Sequence, residues 1–140
     1  MRRKLSVSFL VLALSAFALW LWQDSFTSNE GNVVIELRDE GQLIRSVATP
    51  LTTEDSLFSL LDAHFEVVCA TPFYTPDTQC AQSPTLGRAI LGIDGLMTDW
   101  QRTFFQIRLN GVHANFGVDT LVLDDGDVVT FDRIAVQSAP

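Results

Sequence analysis

The sequence predicts an α+β domain, a mixed sheet of about five strands with one packed helix. Three observations carry this. Val33, Ile35 and Leu37 alternate with Val34, Glu36 and Arg38, and a second strand-like run follows Asp39-Glu40-Gly41. A single apolar stripe at helical spacing comes next, Leu57, Phe58, Leu61 and Phe65. The closing segment 103–131 then reads as strand, Asn110-Gly111 turn, loop, Asp124-Asp125-Gly126-Asp127 turn and final strand. Period-2 alternation marks a strand with two different faces, and a stripe of period 3.6 marks a helix laid on a sheet.

The chain does not begin as that domain. Arg2, Arg3 and Lys4 precede residues 5–22, 18 residues without a charge. A bilayer core of about 30 Å takes roughly 20 apolar helical residues, with a lower bound near 17. Basic residues ahead of such a run hold its start in the cytoplasm. Two readings follow for residues 1–22. A signal anchor would place Trp20 and Trp22 in the outer interface as an N-terminal transmembrane helix. A signal peptide would be cleaved after Ala18, with Ala16 and Ala18 as the small pair. Either way the expectation is an extracytoplasmic (periplasmic) domain, single-pass at the inner, cytoplasmic membrane if the helix stays. Residues 23–32 read as a polar spacer, and 33–140 as the domain.

Removing those three basic residues leaves six arginines against 17 acidic residues, about −11 in formal charge. Such a surface repels phosphate backbones, so no nucleic-acid partner is expected.

The elements follow in order. A strand at 33–38 turns at Asp39-Glu40-Gly41 into a second strand at 42–48, a hairpin that Pro50 is expected to end. Thr52 and Asp55 read as a variant capping box opening a helix over 54–64. Glu54 and Asp55 in its first turn and His64 near its end suit the helix dipole. A short strand at 66–70 leads into a Pro-, Thr- and Ser-rich loop at 71–87. Residues 88–95 give another strand, closed by Asp94-Gly95. In the strand after Trp100, Phe105, Ile107 and Leu109 form one face and Phe104, Gln106 and Arg108 the other. One helix on such a sheet is the β-grasp arrangement.

Cys69 and Cys80 have ten residues between them. In an exported chain an even count reads most simply as one disulfide. Two free thiols and a metal pair are the alternatives. The spacing is not that of a redox CxxC, and His64 and His113 form no zinc pattern with the cysteines.

The succession AILGIDGLMTDW, then FFQIRLNGVHANFGVDTLVLDDGDVVTF, resembles the transcobalamin C-terminal-like domain family, here as a bacterial single-domain exported member. Ile93-Asp94-Gly95 stands at that family's first turn, with Asp for Asn. Trp100 follows at the tryptophan position and Leu109-Asn110-Gly111 at the second turn. Gly117, Leu123, Asp125-Gly126-Asp127 and Val129 supply the last segment. The resemblance implies a β-grasp fold and, as ligand class, a corrinoid (cobalamin). In the transcobalamin group this domain caps a corrinoid held by a separate helical domain, and many bacterial relatives carry the domain alone.

Candidate ligand-binding residues are Trp100, Phe104, Asn110, His113, Asn115 and Phe116, an aromatic and amide group around the two turns. The expected role is a membrane-anchored extracytoplasmic binding module, with a protein-interaction module of an envelope complex as the alternative. No enzyme is expected, since there is no G-x-S-x-G elbow and no paired nucleophile and base. No metal is expected either. Asp124, Asp125 and Asp127 lack the closing glutamate of an EF-hand and read as a turn whose carboxylates accept backbone N–H groups.

Overall fold

The computed structural model describes residues 30–81 and 87–137. The expected membrane segment 1–22 lies outside the described residues, as does most of the spacer. Among the described residues no helix is long and apolar enough to cross a membrane.

Strand β1 (Gly31–Asp39) and strand β2 (Gln42–Leu51) form the expected antiparallel hairpin. Gly31 and Asn32, expected in the spacer, already pair with Leu51 and Pro50. Glu40 and Gly41, at φ 48° and 83°, close the turn in the left-handed region that a two-residue hairpin requires. Val33, Ile35 and Leu37 are fully buried, as alternation demands. Each such side chain contributes roughly 1.5–3 kcal/mol on burial. Pro50 does not end β2 but lies inside it. The strand is the outermost of its sheet, where a missing N–H breaks no ladder bond.

Helix α1 spans Leu57–His64, shorter than expected. Its N-cap is Ser56, not Thr52. Ser56 Oγ accepts from Ser59 N–H at 3.0 Å and Ser59 Oγ accepts from Ser56 N–H at 2.9 Å, a reciprocal capping box. The Thr52–Asp55 bonds exist, with Asp55 Oδ2 accepting from both Thr52 N–H and Oγ1. They close an isolated turn ahead of the helix, so no acidic residue sits in its first turn. Leu57, Leu60, Leu61 and the C-cap Phe65 face the core. His64 Nε2 lies 2.9 Å from Thr49 Oγ1, tying the helix end to β2.

The other strands are β3 (Val67–Ala70), β4 (Pro76–Asp77), β5 (Ala89–Ile93), β6 (Leu96–Met97), β7 (Thr103–Leu109), β8 (Val112–His113) and β9 (Val128–Ala135). They form two sheets. The main one is five-stranded and mixed, ordered β2-β1-β9-β7-β8, with β1 and β9 parallel. The second is four-stranded, β4-β3-β5-β6. The strand expected at 88–95 therefore pairs with β3 rather than with the main sheet, and the loop expected at 71–87 contributes β4. One core joins the inner face of β1 and β9, the helix, and Val67, Ile90 and Ile93 of the second sheet.

Cys69 and Cys80 are bonded, with Cα atoms 5.1 Å apart. Arg88 locks the bridge to the body of the domain. Its guanidinium lies 4.1 Å from the Phe58 ring centroid, its Nε donates to Cys80 O at 2.8 Å, and its Nη1 pairs with Asp119.

Candidate functional site

The helix and second sheet cover one face of the main sheet and leave the other open. Register places Glu36 and Arg38 of β1 opposite Thr130 and Asp132 of β9, and Arg108 of β7 opposite Thr130 on the other side. These side chains share the open face with Phe104, Gln106 and Val128, since residues of one parity point one way. A concavity of about 490 Å³ lies there, bordered by Glu36, Arg38, Arg108, Asn110, Thr130 and Asp132.

Its polar groups are partly tied together. Arg38 Nε donates to Glu36 Oε2 at 2.9 Å and Arg38 Nη1 donates to Gly41 O at 3.0 Å. Asp132, 3% exposed, accepts from Gly41 N–H at 3.0 Å. Arg108 donates through Nε to Gln106 Oε1 at 2.9 Å, and among the described residues it has no carboxylate partner. A guanidinium carries five N–H donors in a planar fork, so Arg108 keeps most of its donors for a ligand.

A second cavity, of about 370 Å³, sits on the smaller sheet beside the disulfide, between Tyr74, Asp77 and Trp100.

The six sequence-predicted residues do not form one site. Asn110 borders the open-face concavity, and His113 sits beside it, paired in register with Arg108. Phe104 is on the same face, half-buried opposite Ile134. Asn115 and Phe116 are exposed in the following loop. Trp100 lines the other cavity instead. The reason is strand geometry. Trp100 precedes β7 and Asn110 follows it, and seven extended residues at about 3.3 Å each put the two ends roughly 23 Å apart. Asn110 is also committed internally. Its Nδ2 donates to Asp127 Oδ1 at 2.8 Å and its Oδ1 accepts from Val128 N–H at 2.9 Å.

Glu36, Arg38, Arg108, Thr130 and Asp132 border the concavity but are not among the site residues expected from sequence. The signal was present: these are polar residues at outward positions in the middle of strands. Tyr74 carried no such signal, since it lies in an aperiodic loop.

The Asp124–Asp127 turn is architectural, as expected. Asp125 Oδ1 accepts from Asn32 N–H and Asp127 Oδ2 from Asp124 N–H, both at 2.8 Å. Among the described residues no group of three His, Cys, Asp or Glu side chains is placed to hold a metal ion.

No family model and no curated protein matches the chain. Solved structures do share its fold. One is haptocorrin in complex with Cbi, at a TM-score of 0.57 and 13% identity, covering 77% of this chain and 26% of that one. Another, from Ruminococcus gnavus ATCC 29149, is described as a candidate metal-binding protein. It matches at a TM-score of 0.55 and 16% identity over 77% of this chain and all of that one. The chain thus has the fold of about a quarter of haptocorrin and of the whole of the smaller protein.

Proposed function

We propose that the protein is a non-enzymatic binding module held at the cytoplasmic membrane by its N-terminal segment, with this domain on the outer, periplasmic side. Its ligand is a small molecule of the corrinoid class, seated against the open face of the main sheet. The observation that carries this reading is the concavity at Asn110, where Arg108 presents unpaired donors beside Glu36 and Asp132. A corrinoid is a flat ring edged with amides, which need both donors and acceptors. The open face offers both around a shallow seat. At about 490 Å³ the seat is within the range of small-ligand sites, and it would cap a corrinoid rather than enclose it. The fold shared with haptocorrin, and the β-grasp strand order with its parallel central pair, support membership of the transcobalamin-like group.

Titration of the protein with cobalamin, followed by calorimetry and by the corrinoid absorption bands, tests this. Saturable binding that weakens about tenfold in Arg108→Ala is the expected result, the loss of a charged hydrogen bond. No heat and no spectral change would remove cobalamin as the ligand.

A second reading, a protein-interaction module of an envelope complex, is favoured by Val112 and Phe116, which are 70% and 62% exposed on either side of His113. Co-purification from membranes that Phe116→Asp leaves unchanged would count against it.

A further inference from the structure

The cavity beside the disulfide has a chemistry of its own. Tyr74 and Trp100 bring their rings to 6.0 Å between centroids, tilted by 50°. Both residues hold φ at 59°, a conformation uncommon for bulky side chains. Each is kept there by a tied turn. Tyr74 N–H donates to Thr71 O and Thr71 N–H donates to Thr75 O, both at 2.8 Å. Trp100 N–H donates to Thr103 O at 3.0 Å, while Asp99 Oδ1 accepts from the N–H groups of Arg102 and Thr103. The backbone that carries each ring is therefore set before any ligand arrives, which lowers the ordering cost of binding.

Between the rings and the smaller sheet stand Ala70, Pro72 and Ala89, with one carboxylate, Asp77. No basic side chain among the described residues pairs with Asp77. Two aromatic faces and an uncompensated negative charge attract a cation. The hydrogen-bond inventory narrows which cation. Asp77 Oδ1 already accepts from Gln79 N–H at 2.9 Å and Oδ2 from Ala81 N–H at 3.2 Å. Thr71 Oγ1 is engaged by Thr75 Oγ1 and by the N–H groups of Phe73 and Thr75. A primary ammonium or a guanidinium would bring three to five donors to a seat whose acceptors are largely taken. A quaternary ammonium has no N–H to satisfy, and its methyl groups suit alanine and proline walls.

From this we infer that Tyr74, Trp100 and Asp77 form a second binding site, distinct from the open face, for a quaternary ammonium group such as that of choline. Free choline compounds and choline lipid headgroups share this chemistry. The acidity of the domain enriches cations near the site at low salt.

The test is calorimetric titration of the full chain in nonionic detergent with choline, and with dimethylbutanol, its uncharged carbon isostere. The proposal expects saturable choline binding, with the isostere about tenfold or more weaker. Tyr74→Asn and Trp100→Asn remove each ring while keeping a residue that tolerates positive φ. Each should weaken choline by a similar factor while the thermal transition stays cooperative. Glycerophosphocholine identifies the source: tighter binding than choline assigns a lipid headgroup, and weaker binding assigns a free ammonium compound. Absence of choline binding, equal binding of the isostere, or wild-type binding by both folded ring variants would overturn the site.

Discussion

Asn110 and Asp127 hold each other across two turns, Nδ2 to Oδ1 at 2.8 Å over 17 residues of chain. The same asparagine accepts from Val128 N–H, and the same aspartate accepts from Asp124 N–H. The Asn-Gly turn and the Asp-Gly-Asp turn are therefore one clasp that sets β7 against β9. Asn110 also sits at φ 51°, where asparagine is tolerated and alanine is strained. Asn110→Ala should cost about 2–3 kcal/mol, from the hydrogen bonds lost at Asp127 Oδ1 and at Val128 N–H plus the backbone strain. In a domain of this size that lowers the melting temperature by roughly 10 °C. A shift within a degree or two of wild type would show that the clasp contributes nothing.

The disulfide closes a loop with a sequence separation of 11. Chain-entropy reasoning puts its contribution at about 3 kcal/mol, so a Cys69→Ala, Cys80→Ala double variant should lose about that much in denaturant unfolding. Thiol labelling of the unreduced, denatured protein should find no free cysteine. Two labelled thiols would refute the bridge.

The Asp99 carboxyl is held below the usual carboxylate range, chiefly by the N–H of Arg102 and then by that of Thr103. A group with a depressed folded pKa stabilises the fold above its unfolded pKa, and that contribution disappears as pH falls through the folded value. The turn that presents Trp100 should therefore be insensitive from neutral pH down to the carboxylate range and loosen only below it. The Trp100 indole N–H resonance reports this directly. Asp99→Asn should flatten the acid transition, and an unchanged transition in that variant would assign it to another group.

Much of the fold was legible because its determinants are local. The β1–β2 hairpin, β7, β9 and their turns follow from alternation and from dipeptides that accept positive φ. The helix starts later than the sequence predicts, although Thr52–Asp55 does form the bonds of a capping motif. Nothing local distinguishes a capped turn from a capped helix. The choice is made by where Leu51 ends its pairing and Leu57 begins its burial. Ser56 and Ser59, three apart, carried the competing signal. The strand expected at 88–95 exists as the shorter β5, and its place in a second sheet has no local mark, because its pairing partner β3 lies across the disulfide loop.

The candidate site shows the same division. The long strands and the apolar face of each are legible in the sequence, since each depends on neighbours a few residues away. What stands beside what is set by the tertiary structure. It separated Trp100 from Asn110 by the length of β7, gathered Glu36, Arg108 and Asp132 from three strands onto one open face, and brought Tyr74 out of an aperiodic loop to Trp100. Those placements depend on how distant segments close on a shared core, and chain closure over tens of residues leaves no periodic mark in the sequence.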